Sequence, residues 1–142
     1  MTYATLAQLA DRYGAQMLVN LTDRAEVATG EIDEAVIDRA LADTDAFVDG
    51  FLAGRYVLPL VATPPLLADL AQVIAIWKLH THAPDPKIEA DYKDARRTLE
   101  GIARGDVRLP VAGVEPAGTG GSGARMTDRD RPFTETNLRG FI

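Results

Sequence analysis

Metal or acid–base chemistry in this 142-residue chain would have to begin with His80 and His82, its two histidines. A separation of two puts them on different faces of a helix, or in a loop. Neither arrangement matches the i, i+4 pair that turns two imidazoles toward one zinc ion. Asp85 and Glu89 add at most a weak carboxylate cluster, so the histidines read as exposed groups at a helix end. A metal-dependent hydrolase built on His80, His82 and Asp85 is therefore the weakest functional reading. Other carboxylates are plentiful, but none sits in a context that predicts burial or a shifted pKa. Ser122 lies in a glycine-rich stretch, not on a nucleophile elbow, and residues 118–123 follow no predicted strand and open no helix, which makes a poor phosphate loop. Cysteine is absent, and with it thiol nucleophiles, disulfides and thiolate metal sites. Lys93, Arg96 and Arg97 beside Tyr92 suggest a nucleic-acid patch only until Glu89, Asp91 and Asp94 are counted; together they make a neutral, paired helix surface. The chain reads as non-catalytic, with no cofactor and no metal.

The charge points the same way. The net value is -6, and from Val111 onward four arginines meet four acids, which leaves 17 acids against 11 bases before that point. An acidic body gains nothing from counterion release on a phosphate backbone, so specific DNA or RNA binding is disfavoured. No window approaches the roughly 18 apolar residues of a membrane span, and residues 1–12 lack the basic and apolar runs of an export signal. A soluble protein without membrane contact is expected. Hydrophobic residues make up 46% and aromatics only 6%, a supply of Leu, Val, Ile and Ala that suits helix-on-helix packing better than a β-sandwich.

The elements that would carry these residues follow from periodicity. Thr5 is a candidate N-cap for a short helix with Leu6, Leu9 and Tyr13 on one face and Gly14 as its stop. Residues 17–21 form either one more helical turn or a docking strand. From residue 32 to 52 the apolar set Val36, Ile37, Ala40, Leu41, Thr44, Phe47, Val48 and Phe51 recurs at three- and four-residue steps, the mark of a long amphipathic helix. Asp33 caps it, Gly54 and Arg55 end it, and Glu34, Asp38, Asp45 and Asp49 form its solvated face. The apolar connector Tyr56-Val57-Leu58-Pro59-Leu60 cannot continue the helix past its proline. Thr63-Pro64-Pro65 then starts a helix with Thr63 as cap, and residues 66–79, apolar on nearly every side, form the central buried helix. Asp85-Pro86 starts a last helix with Ile88, Tyr92, Ala95, Leu99 and Ile102 inward, closed by Gly105.

The expected fold is mainly α: a small bundle of about four helices with a long central helix, followed by an extended flexible C-terminal arm. Residues 1–110 form the helical core and 111–131 a Gly-rich linker, whose composition cannot bury enough surface to order itself. Residues 132–142 end in Phe133, Leu138, Phe141 and Ile142, bulky side chains with no room for a core of their own, so they call for an external surface or a frayed terminus.

The run Asp49-Gly50-Phe51-Leu52, then Arg55-Tyr56 and Leu58-Pro59-Leu60, the two-proline helix start, and Tyr92 and Ala95 ahead of Leu99 and Gly105 resembles the Mu-type prophage family of head-tail adaptor or connector proteins. The likeness covers most of residues 1–110, and Phe133, Leu138, Gly140 and Phe141 are similar to that family's C-terminal signature. The resemblance implies a helical subunit of a twelve-copy ring between portal protein and a tail-side neck or stopper protein, with DNA passing through unread. It implies a place in the neck of a phage or gene-transfer-agent particle after synthesis in the host cytoplasm. Phe133, Leu138, Arg139, Phe141 and Ile142 become the partner-binding arm; acidic side chains would line the lumen, where like charge keeps DNA from adhering. For Arg55 and Tyr56 the favoured reading is structural, a helix-end cation and a core aromatic with a hydrogen-bonded hydroxyl. The alternative from another class is a non-viral regulatory module whose tail serves as a peptide ligand.

Overall fold

A computed structural model of the protein describes residues 1–111, which form five helices and, among these residues, no strand. The first, α1 (Leu6–Tyr13), opens with a capping box: the Thr5 hydroxyl accepts from the Gln8 N–H while the Gln8 side chain accepts from the Thr5 N–H. Gly14, at φ 87°, ends α1 and turns the chain directly into α2 (Ala15–Thr22), so residues 17–21 are helical. The pair α1–α2 stands where one further bundle helix was expected.

Helix α3 (Glu34–Leu52) is the long amphipathic element, capped by the Asp33 carboxylate on the Ala35 and Val36 N–H groups. Its buried stripe is Ile37, Ala40, Leu41, Thr44, Val48 and Leu52. Thr44 tolerates this apolar setting because its hydroxyl donates to the Ala40 carbonyl at 2.7 Å. Helix α4 (Pro65–Leu79) buries Leu67, Leu70, Ala71, Val73, Ile74, Ala75, Ile76 and Leu79, and it packs against both α3 and α5 (Pro86–Arg104). It is the central helix. In α5 the Asp85 side chain caps the Lys87 N–H, Gly105 closes the helix at φ 87°, and Ala95, Leu99, Gly101 and Ile102 face inward. On its outer side lie Lys87–Asp91 and Lys93–Glu89 at 2.7 Å, Arg96–Glu100 at 3.1 Å and Arg97–Asp94 at 3.3 Å. The basic residues there are thus paired within their own helix.

Three expectations need correction. Pro64, not Thr63, is the N-cap of α4, with φ −62° and ψ 146° and no side-chain bond to the helix. A residue before proline is excluded from helical geometry, so Pro65 fixes the boundary and leaves Thr63 one step outside. Helix α3 ends at Leu52, where the periodicity placed it, but its C-cap is Ala53 rather than the expected Gly54 stop, and the Leu52 carbonyl receives the Arg55 and Tyr56 N–H groups at 2.9 Å. Asp45 and Asp49 are not simply solvated: the buried Tyr3 donates its N–H to Asp45 at 2.9 Å and its hydroxyl to Asp49. Together they fasten the N-terminal segment to α3.

The link between α2 and α3 is similarly tied down. Asp23 accepts from the Thr29 and Gly30 N–H groups, both at 2.9 Å, and the buried Thr22 hydroxyl accepts from Asp33 while donating to Leu18. Arg24 reaches across to the Leu79 carbonyl at 2.6 Å, a cation at the negative end of α4.

Candidate functional site

The Arg55–Tyr56 motif meets the end of α5. Leu52, Tyr56 and Leu60 are buried, so the connector 53–64 is anchored on either side of the cis Leu58–Pro59 bond, with Leu58 half-buried and Pro59 exposed. The Tyr56 hydroxyl accepts the backbone N–H of Leu109 at 3.1 Å in a buried setting. Arg55 donates from Nη1 to the Arg104 carbonyl at 3.3 Å, and its guanidinium lies across Gly105, where a Cβ would collide with it. Gly105 therefore has two reasons to be glycine: a left-handed φ and the cation stacked on its backbone. The carbonyls exposed by the end of α5 are used in turn, Ile102 by the Gly105 N–H and Gly101 by those of Asp106 and Val107. Tyr56 is a buried aromatic with a hydrogen-bonded hydroxyl, and Arg55 reaches the end of α5. What the sequence did not reveal is their common target, the segment 104–109, just ahead of Val111, the last described residue.

Around Phe51 the motif is peripheral. Phe51 is half-buried and meets Phe47 edge to face, centroids 5.1 Å apart, with the Lys78 ammonium 5.2 Å from the Phe47 ring. Tyr92 stacks on Trp77 with centroids 3.9 Å apart and planes 7° from parallel, so its ring already has an aromatic partner on one face.

The candidate chemistry disperses. His80 Nδ1 lies 2.8 Å from the Ile76 carbonyl, His82 is exposed, and Asp85 caps α5. Among the described residues no three His, Cys, Asp or Glu side chains converge to hold a metal, and no helix is long and apolar enough to cross a membrane. Burial raises the Asp45 carboxyl above its ordinary range and lifts the Tyr3 hydroxyl further, with Asp49 adding to the latter. Backbone donors from Gly30 and Thr29 hold Asp23 low. These three shifts belong to fastening contacts, whereas Tyr13, raised chiefly by burial, lies near Arg12, Asp91 and Asp69.

Open surfaces among the described residues include the connector and a groove. Val57 and Val61 on the connector are 70% and 83% exposed. Between α1, α4 and α5 runs a shallow groove of about 350 Å³ floored by Leu66, Leu70, Val73 and Ala95, with Arg12 paired to Asp69 at 2.5 Å on its rim. Phe133, Leu138, Arg139, Phe141 and Ile142, expected to bind a partner, lie outside the described residues, as does all but the first residue of the expected linker.

The sequence has relatives along its whole length. The family described as Bacteriophage Mu, Gp36 matches residues 3–128, past the end of the helical body. The chain is 38% identical over 142 residues to gene product J of Escherichia phage Mu, covering all of both proteins. It is 30% identical over 140 residues to the Mu-like prophage FluMu protein gp36 of Haemophilus influenzae, covering 99% of this chain and 98% of that one. The chain, matched from end to end by these phage and prophage proteins, belongs to the Bacteriophage Mu Gp36 family.

Proposed function

We propose that the protein is a structural virion component, a head-to-tail adaptor subunit that assembles into a ring beneath the portal, with residues 132–142 docking on the portal or a tail-side neck protein. The observation that supports this reading is a clamp: Arg55 and Tyr56 hold segment 104–109 against the body, so Val111, the last described residue, has a fixed place. A tail with Phe133, Leu138, Phe141 and Ile142 tethered there gains avidity when copies are arrayed, because each further contact is made at high effective concentration.

The surfaces of the body suit a closed ring, which needs unlike faces that meet head to tail. One is the acidic outer side of α3, with Glu34, Asp38 and Asp43 exposed; another is the apolar connector with Val57 and Val61. The acidic side is the candidate lumen lining, where it would let DNA pass without adhering. Electron microscopy of the particle neck tests the assignment, together with protease digestion of residues 112–142 in free and assembled protein. The expected result is a ring of this chain below the portal and a tail protected only in the particle. Equal cleavage in both states defeats the docking, and a neck without this chain defeats the adaptor role.

A further inference from the structure

Of the 11 bases before Val111, Arg12, Lys87, Lys93, Arg96, Arg97 and Arg104 are each paired with an acid. Arg24, Arg39 and Lys78 make no ion pair among the described residues, and all three line one pocket of about 100 Å³ beside the C-terminal end of α4. Three cations there meet a single carboxylate, Asp43, in a body where acids outnumber bases. Arg24 is held in place by the fold alone: its Nε donates to the Leu21 carbonyl at 3.0 Å and its Nη2 to the Leu79 carbonyl at 2.6 Å. The second of these bonds occupies the carbonyl at the end of α4 that would otherwise repel an anion, and it leaves Nη1 without a partner among the described residues. Val36, Ala40 and Leu79 supply the apolar part of the lining.

We propose that this pocket is an anion site for one phosphoryl group, carried either by free phosphate or by a phosphomonoester, with Arg24, Arg39 and Lys78 as its donors. The charge selects this ligand. Three cations less one carboxylate match a dianion, and a phosphomonoester carries about −1.5 to −2 near neutral pH, whereas a carboxylate would neutralise only about half of the excess. Geometry agrees, because two guanidinium groups and an ammonium on three different elements suit a tetrahedral group with several oxygens, while a planar carboxylate is satisfied by one arginine fork. Size sets the upper limit: the pocket lies well under the roughly 300 Å³ at which sites for larger organic ligands begin. The acidic body disfavours a polyanion such as DNA, but a small dianion in the pocket answers to its nearest charges, since those beyond about 8 Å are screened at physiological salt. The site does not rest on the adaptor reading.

Calorimetric titration of the full chain with inorganic phosphate, at an ionic strength held constant with sodium chloride, tests the site, and the thermal midpoint should rise with phosphate because the ligand binds only the folded state. Saturation at one site with a dissociation constant on the order of 1 mM or tighter is expected, and acetate should bind about tenfold more weakly or worse. Arg39→Gln with Lys78→Gln should weaken phosphate binding by about tenfold or more. Asp43→Asn should strengthen it, and Lys93→Gln with Arg96→Gln, among the paired cations of α5, should leave it unchanged. Asp43 is exposed, so its variant decides the matter even if loss of the Lys78 contact with Phe47 perturbs the double variant. O-phosphoserine separates the two sources: binding as tight as that of phosphate assigns the site to phosphomonoesters as well, and exclusion assigns it to the free anion. Absence of saturation, acetate binding as tightly as phosphate, no gain from Asp43→Asn, or an equal loss in the α5 control would overturn the proposal. Because the assay uses isolated protein, its outcome is independent of whether the particle neck contains this chain.

Discussion

Tyr56→Phe removes one oxygen atom and nothing else, and that oxygen is the acceptor for the Leu109 N–H. Tyr56 is 4% exposed and Leu109 7% exposed, so no water replaces the lost partner without movement of the segment. An orphaned buried donor costs about 1–3 kcal/mol. Taking about 2 kcal/mol for a chain of this length, the thermal midpoint should fall by roughly 4–10 °C. Relief comes only by letting segment 106–111 lift away, which exposes Leu109 and Val107 and returns part of the loss as apolar surface in water. Two measurements therefore go together: denaturant unfolding followed by circular dichroism, and hydrogen exchange at the Leu109 amide. The variant should lose stability and its Leu109 amide should exchange much faster, while amides in the middle of α4 change only as far as global stability does. If Tyr56→Phe leaves both the midpoint and Leu109 exchange at wild-type values, the Tyr56–Leu109 bond is not what holds segment 104–109 in place, and Val111 has no fixed place.

The two glycines of the motif region should respond oppositely. Gly105→Ala meets both a left-handed φ and the Arg55 guanidinium and should destabilise by about 1–2 kcal/mol or more, whereas Gly50→Ala, in α3 with open space around it, should stabilise by about 0.5–1 kcal/mol; urea midpoints compare them. Tyr92→Leu should cost about 0.5–1.5 kcal/mol from the lost stack and shift the emission of Trp77, the single tryptophan. The pH dependence has two signs. Asp45 is raised by burial, so its contribution is full below the unfolded pKa and is lost as pH rises through the folded one; Asp23 is lowered, so its contribution is present above the ordinary value of 3.8 and lost as pH falls through the folded pKa. Unfolding midpoints between about pH 3 and 7 should show Asp45→Asn flattening the loss on the rising side and Asp23→Asn flattening the loss at the acid end.

Much of the fold was legible because it is local. The α3 and α5 stripes, the Asp33 and Asp85 caps and the Gly105 stop depend on residues within four positions of one another, and periodicity with capping chemistry reads that range directly. The α4 boundary slipped by one residue because two rules competed at Thr63-Pro64-Pro65: threonine's preference for the cap and the ban on helical geometry before a proline. The second is steric and prevailed.

What could not be read were meetings between distant positions. Asp45 and Asp49 sit on the outer side of an amphipathic helix and by pattern belong to solvent; only the fold brings Tyr3 onto them from more than 40 residues away. Arg55 was recognised as a helix-end cation, but it serves the end of α5 as well as following α3, and no spacing rule pairs residue 55 with 104. Trp77 and Tyr92 each looked like a member of its own helix's stripe. The residues proposed to bind a partner, Phe133, Leu138, Arg139, Phe141 and Ile142, lie outside the described residues.

The guanidinium of Arg55 fills the space beside Gly105 that a side chain would otherwise occupy, so the course of the segment up to Val111 is inherited from the packed helices. In a ring of the kind proposed above, copies related by a rotation axis would carry Val111 at one latitude, like bosses set evenly around a hub, each placed alike toward a mating component of matching symmetry.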